Sequence, residues 1–411
     1  MRVVSFVEGA RLGSGGVGLV GVPSIARSIA ERGHHVVLVV AGDIMPGAER
    51  FGQSSPDCIF HSLEGTPAFG IIPFPALGRW AFSPSLFTSM YRYVCHADFV
   101  TLHSLYSFPV LAGYAMARLA GKPYGVWPHG VLAPFQRRVS AKKKRAYDLV
   151  SARSILNDAS VLFYSATGER DEAAPLRLRA PSVIVPHGID LGEFSQLPAR
   201  GQFRARYLGG HQGPLVLYLG RLNAKKGLDL LVAAFSRVVA QLPEARLAIV
   251  GAGDPPSFES QVDDWLRRWG IAERTVMPGL IAGDQKLSAL ADADVFVLPS
   301  HAENFCFAMF EAMAARVPVV IADSLNLAPE VERWEAGLVL RRDPEAFASG
   351  MLELLVNEEL RRSMGERGLC MAKSYSWHST GVRVEKTMKC IMEGMPLPAE
   401  LTMDVRSEVG S

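Results

Sequence analysis

Short Val-, Ile- and Leu-rich runs alternate with longer segments of helical period along most of the chain. Runs that are brief and continuously apolar suit strands buried on both faces of a parallel sheet, with a helix returning the chain after each strand. In the first half the pattern predicts strands at "RVVSFV", "HVVLVV", "GIIPF", "DFVTLH", "PYGVWP", "VLFYSA" and "SVIVPH". The alternation pauses over "GIDLGEFSQLPARGQFRARYLGGHQGP", a Gly-, Pro- and charge-rich stretch that reads as an interdomain linker. It restarts with "LVLYLG", "RLAIVG", "TVMPG", "DVFVLP", "PVVIAD" and "GLVL". So many strands exceed the usual open sheet, and two doubly wound α/β domains are expected. The closing "GMPLPAELTMDVRSEVGS" lacks periodicity and is expected to be a loose tail.

Composition narrows the class. A chain of 411 residues is longer than one hydrophobic core usually serves. Hydrophobic content of 49% with 20% charge is that of a soluble globular protein, and a net charge of +2 predicts no bulk attraction to nucleic acid. Five cysteines form neither a disulfide framework nor a metal-ligand spacing. Met1 runs straight into a strand-like segment and no apolar stretch is long enough to span a bilayer, so a cytoplasmic location is expected.

Candidate chemistry gathers where strands give way to helices. In "SHAENFCFAMFEAMAARVPVV", residues 300–320, Glu303 and Glu311 stand eight residues apart with no Lys or Arg between them. The segment follows a predicted strand, and sheets of this kind bind ligands beyond the carboxyl ends of their strands. Phe307, Phe310, Met313 and Ala314 recur at helical spacing, so the backbone from Asn304 through Phe305 and Cys306 to Phe307 forms a helix N-terminus that attracts anions. The two glutamates then grip hydroxyls on either side of a phosphate, or serve as a dipole partner and a surface residue; spacing alone leaves both open. In "LYLGRLNAKKGLDLL", Arg221 and Lys226 flank a strand-to-helix turn, the arrangement of a phosphate clamp.

Elsewhere the signals are weaker. Gly13, Gly15 and Gly18 match G-x-G-x-x-G, with Asp43 beyond the next strand, which raises a nicotinamide-binding domain. The first Gly lies four residues beyond the strand, however, and the loop reads better as backbone approaching a ligand. His129 in "GVWPHG" either hydrogen-bonds a substrate hydroxyl or caps the strand end, and His187 in "VIVPHG" reads as structural. Arg137, Arg138, Lys142, Lys143, Lys144 and Arg145 form a solvated helix face or, as a second reading, meet an anionic acceptor or membrane surface.

Together these segments resemble the retaining glycosyltransferases of family 4, over nearly the whole chain: "GSGGVG…ERGHHV", "PYGVWPHGVLAPF", "VIVPHGIDLGEF", "YLGRLNAKKGLDLL", "LPSHAENFCFAMFEAMAARVPVV" and "NLAPEVERWEAGLVL". "SHAENF" with "PHGVL" looks most like members that build bacterial exopolysaccharides. The resemblance implies a GT-B fold of two Rossmann-like domains facing across a cleft. Its parts would be an N-terminal acceptor-side domain (1–190), a linker (191–213), a C-terminal nucleotide-sugar domain (214–375), a helix crossing back (376–395) and a tail (396–411). It implies that Arg221 and Lys226 hold the donor diphosphate, Glu311 the ribose and Glu303 the donor sugar. Asn304, Phe305, Cys306 and Phe307 would supply cradling backbone, His129 would contact the sugar, and Gly16 and Gly18 would meet the diphosphate. The implied donor is a UDP-, GDP- or ADP-sugar and the acceptor a glycan or lipid-linked glycan. Two departures stand out: many relatives have Gly where this chain has Asn304 and Cys306, and Ala315-Arg316 replaces a small-Gly pair.

No cofactor or metal is expected, because the Asp292-Ala293-Asp294 pattern precedes its strand and so faces away from the ligand edge. Two alternatives are an NAD(P)-dependent oxidoreductase and a catalytically silent nucleotide-sugar-binding protein.

Overall fold

The computed structural model describes residues 1–9, 20–42, 68–78, 80–138 and 141–403. Gly13, Gly15, Gly16, Gly18 and Asp43 lie outside them. Two compact units share the chain: Met1–Gly188 with Trp377–Ser411, and Ile189–Ser376.

The first unit is built on seven strands, β1 (Arg2–Glu8), β2 (His35–Ala41), β3 (Ala68–Phe74), β4 (Phe99–His103), β5 (Tyr124–Trp127), β6 (Val161–Tyr164) and β7 (Ser182–Ile184). They form an all-parallel sheet in the order β3-β2-β1-β4-β5-β6-β7. The second unit holds β8 (Leu215–Leu219), β9 (Arg246–Val250), β10 (Thr275–Gly279), β11 (Val295–Leu298), β12 (Val319–Ala322) and β13 (Gly337–Leu340), in the order β10-β9-β8-β11-β12-β13. Every strand foreseen from the apolar runs is present. Their cause is visible in the burial: β4, β5, β6, β11 and β12 are buried at every position, which requires side chains compatible with apolar layers on both faces.

Each sheet reverses its strand order once, between β1 and β4 in one and between β8 and β11 in the other. At such a reversal neighbouring helices leave on opposite faces, opening a crevice beyond the carboxyl ends of the two strands. Arg221 and Glu303 follow β8 and β11, and His103 ends β4.

Two segments differ from the sequence reading. The stretch 191–213 is not a bare linker: it carries a 3₁₀ turn, Leu191–Phe194, and a helix, Gln202–Tyr207, and belongs to the second unit. Its anchor is the Asp292–Asp294 pair. Asp292 accepts from the backbone N–H groups of Gly201 and Arg204, and buried Arg204 reaches the Asp294 carboxylate at 3.0 Å and the carbonyls of His211, Gly213 and Asp292. The local composition looked polar because these residues bond to the amino end of β11 rather than to water. The tail is likewise anchored in part. Leu401 is buried in the first unit's core, and Arg383 of the helix Trp377–Met392 bonds the carbonyls of Ile184, Glu400 and Met403.

The helix Trp377–Met392 belongs to the first unit, where Gly381 lies against Ser28; a Cβ there would meet the Ser28 carbonyl oxygen at 2.6 Å.

Candidate functional site

In the second unit the loop after β8 is laced to the loop after β11. The His301 N–H donates to the Lys225 carbonyl at 2.8 Å. Gly227 has φ +68°, and a Cβ there would meet the Pro299 carbonyl at 2.3 Å, so only glycine lets the two backbones approach this closely. The Asn223 side chain caps the 3₁₀ turn Ala224–Lys226 by accepting from the Lys225 N–H. The result brings Lys226 Nζ to 2.7 Å from Glu303 Oε1, with only 14% and 12% of the two side chains exposed. Burial alone raises a carboxyl pKa, but Lys226 and then Lys225 outweigh it and hold Glu303 below the usual carboxylate range. Glu303 is therefore an anion at neutral pH.

Arg221 lies on the same edge but pairs elsewhere, with Asp254 at 2.8 Å, both side chains being well exposed. The buried Tyr218 hydroxyl donates to the Arg221 carbonyl at 2.8 Å and fixes its backbone. Neither partner was foreseen.

The helix Phe307–Ala314 begins at Cys306, whose φ of +62° is left-handed. This is the conformation that glycine adopts freely, so the Cys306 side chain is carried at a backbone position that favours glycine. Asn304 does not have a positive φ, whereas Arg316 at the other departure does (φ +60°), so the left-handed strain falls on Cys306 and Arg316 and not on Asn304. Burial pushes the Cys306 thiol up to about 12, so it stays protonated. Phe305 is a core residue, stacked on Phe310 at 4.5 Å, and offers only backbone to a ligand. One turn along the helix, Glu311 Oε1 accepts from Lys286 Nζ at 2.8 Å. Here burial raises the carboxyl pKa despite the Lys286 charge.

The first unit places a second group of side chains at its own strand ends. His103, His129, His187 and Trp127 form a stack, with ring centroids 5.3 Å apart for His103–His129 and 5.4 Å for His129–His187. Their hydrogen bonds assign the tautomers. Thr101 Oγ1 donates to Ser5 Oγ at 2.7 Å, so it accepts from His103 Nε2 at 3.2 Å; His103 Nδ1 then accepts from His129 Nε2 at 3.0 Å. His129 keeps Nδ1 as an acceptor. Burial holds all three rings neutral, pushing His103 and His187 down to about 3.

His129 has φ +52° and Gly130 φ +76°, and the Glu169 carboxylate secures this turn. Glu169 accepts from the Gly130 N–H at 2.6 Å and from the Ser165 N–H and hydroxyl at 2.8 Å each. His103 and Glu169 were missed in the sequence. Two neighbouring predicted strands each ending at a His ("FVTLH", "GVWPH") was the available signal for the first, and a glutamate in a helix's first turn, reaching back, for the second.

The basic stretch forms two helices, Pro134–Arg138 and Ala141–Tyr147. Arg137 pairs with Asp148 at 3.1 Å, and half-buried Lys144 bonds the Gln136 carbonyl and lies over the Tyr106 ring at 5.0 Å. These two cations are thus structural rather than part of a free face, while Arg138 and Arg145 are exposed. No described helix is long and apolar enough to cross a membrane.

Known proteins share both halves of this arrangement. The family model "Glycosyl transferases group 1" matches residues 200–369, and "Glycosyltransferase Family 4" matches residues 15–193. Phosphatidyl-myo-inositol mannosyltransferase of Mycobacterium tuberculosis is 25% identical over 336 residues, covering 78% of this chain and 82% of its own. D-inositol 3-phosphate glycosyltransferase of Kineococcus radiotolerans is 28% identical over 249 residues, but that match spans only 56% of this chain and 57% of the relative. Among solved structures, HepE of Anabaena in complex with UDP and glucose superimposes with a TM-score of 0.75 at 17% identity, over 95% of this chain and 99% of the other. The chain belongs to the group 1 glycosyltransferases and has the GT-B fold.

Proposed function

We propose that the protein is a retaining glycosyltransferase that moves a sugar from a nucleotide-sugar to a glycan or lipid-linked glycan, in cell-surface or exopolysaccharide synthesis on the cytoplasmic side of a membrane. The observation that carries the donor reading is the convergence of Lys226, Glu303 and the Cys306 helix start on the carboxyl ends of β8 and β11. A cation, a carboxylate and a helix N-terminus side by side match a diphosphate joined to a polyol. The solved HepE structure, which holds UDP and glucose, supports a nucleoside diphosphate as the ligand class.

In this reading the diphosphate takes Lys226 from Glu303, and freed Glu303 accepts from donor-sugar hydroxyls. Arg221 leaves Asp254 for the phosphate, an exchange made easy by the exposure of that pair. The acceptor hydroxyl attacks from the face the nucleotide leaves, its proton passing to the departing phosphate oxygen. Negative charge grows on that oxygen, so Lys226 and the helix start contribute more in the transition state than in the ground state. In the first unit, His129 offers Nδ1 as an acceptor for a hydroxyl donor. The reaction is proposed to need no metal, since both carboxylates of the Asp292–Asp294 pair are engaged in holding residues 200–213.

Incubation with a panel of UDP-, GDP- and ADP-sugars and a lipid-linked glycan acceptor, in excess EDTA, tests this. Transfer with retained anomeric configuration is expected. Inversion, or activity abolished by EDTA and restored by Mn²⁺, overturns the mechanism, and turnover of NAD(H) alone overturns the class.

A further inference from the structure

Lys286 was given no role by the sequence, yet it is the residue that touches Glu311. It projects from the helix Asp284–Asp292 with its side chain 19% exposed, and its Nζ lies 2.8 Å from Glu311 Oε1 and 3.5 Å from Glu193 Oε2. The Phe194 ring lies beneath the ammonium at 5.8 Å. Three elements therefore meet around one carboxylate: its own helix, the helix of Lys286, and the 3₁₀ turn Leu191–Phe194 that bears Glu193. The titratable and charged groups facing Glu311 from them are Lys286, Glu193 and, from its own helix start, the protonated Cys306 thiol.

An ionised carboxylate accepts hydrogen bonds on both oxygens, whereas a protonated one must place a donor on one of them. A vicinal diol offers two donors and is held best by the anion. Glu311 is buried enough to resist ionisation, Glu193 adds a second negative charge, and Lys286 is the cation against both. Lys286 also fixes which oxygen is used: Oε1 is taken, and Oε2 makes no hydrogen bond with a described residue.

We propose that Lys286 is a positioning residue for the nucleotide, keeping Glu311 ionised and its Oε2 presented to the ribose diol. The proposal rests on the ribose reading of Glu311. It also gives a purpose to the neighbouring pair: Glu193 holds the lysine from its other side, so that Lys286 does not swing away when the diol arrives.

The test is the pH dependence of nucleoside diphosphate affinity, measured by calorimetric titration of UDP and GDP and their 2′-deoxy forms into the full chain from about pH 6 to 9. Ratios between variant and wild type cancel the titration of the phosphate itself. With Lys286→Met, affinity for the better nucleotide falls about tenfold or more at pH 6–7, the equivalent of one unit of displaced ionisation. The deficit closes as pH rises, and discrimination against the 2′-deoxy form weakens in parallel. Lys286→Gln, the reserve if the methionine variant does not fold, behaves in the same way, and Lys286→Arg keeps the wild-type profile. A variant-to-wild-type ratio that is constant with pH, or a methionine variant that binds as wild type, overturns the proposal while the ribose reading stands. Glu311→Gln with unchanged affinity, and wild type indifferent to the 2′-hydroxyl, overturns the ribose reading and this proposal with it.

Discussion

Replacing Lys226 by Met isolates the electrostatics of the site from its chemistry. Lys226 and Glu303 lie 2.7 Å apart with about an eighth of each side chain exposed, so neither charge is well hydrated without the other. Removing one partner of a fully buried pair costs about 3–5 kcal/mol. The remaining exposure reduces this, and about 2–4 kcal/mol is expected at neutral pH. For a unit of this size each kcal/mol moves the melting temperature by about 2–4 °C, so a fall of roughly 4–16 °C follows. Adding Glu303→Gln removes the stranded charge, and the double variant should regain most of the loss. The pH dependence has a definite sign. In the wild type Glu303 is held below the usual carboxylate range, so its contribution is present at neutral pH and is lost as pH falls through its folded pKa. Without Lys226 burial dominates, the carboxyl prefers its proton, and the stability gap to wild type narrows on acidification from pH 7 to 5. Calorimetry of the full chain reads the transitions, and hydrogen exchange of peptides covering β8 and β11 shows that the second unit is the one affected. A Lys226→Met protein that melts as wild type, or a double variant no more stable than the single one, refutes the argument that this pair is desolvated.

Three further outcomes are expected. His103, His129 and His187 are neutral in the fold, His103 and His187 near 3, and the unfolded chain binds protons near 6.5; the first unit should lose stability as pH falls from about 6.5, with His187→Phe flattening that slope in a pH series of melting curves. Glu169→Gln keeps one acceptor oxygen but turns an NH₂ toward either the Gly130 N–H or the Ser165 N–H, so about 1–3 kcal/mol of the first unit's stability should be lost in denaturant titration. Gly227→Ala places a methyl 2.3 Å from the Pro299 carbonyl at a positive φ; it should cost more than about 2 kcal/mol and separate Lys226 from Glu303, seen as loss of nucleotide binding even in protein that remains folded.

The strands were readable because a parallel sheet covered on both faces leaves an unbroken apolar run for each strand, and all thirteen appear where those runs lie. The direction of β11 also told correctly that Asp292 and Asp294 sit at its amino end. What they hold could not be read, because Gly201 and Arg204 are some ninety positions away and polar residues in a Gly-rich stretch look like solvent-facing loop whether or not a carboxylate waits for them. The same limit hid Lys286: a lone lysine on a helix beginning at Asp284 gives no sign that the fold turns it toward a glutamate 25 residues on. The sequence reading puts Arg221, Lys226, Glu303 and Glu311 forward as one set, but it could not give their pairing. The sequence suggests one clamp of two cations, while the fold gives three separate ion pairs: Lys226–Glu303, Arg221–Asp254 and Lys286–Glu311.

The anchoring of residues 200–213 also decides where the chain can be cut. A fragment starting at 214, the boundary that composition suggests, would strip Asp292 of the Gly201 and Arg204 amides and Asp294 of both its arginines. Two carboxylates would be left beside β11 with the Leu215 N–H as one of their few remaining donors. A fragment spanning Ile189–Ser376 keeps every one of these bonds. Trypsin offers an independent view: Arg204 presents a cleavage site by composition, yet its guanidinium and amide are both committed within the folded unit, so cutting there should report opening of that unit rather than the accessibility of a tether.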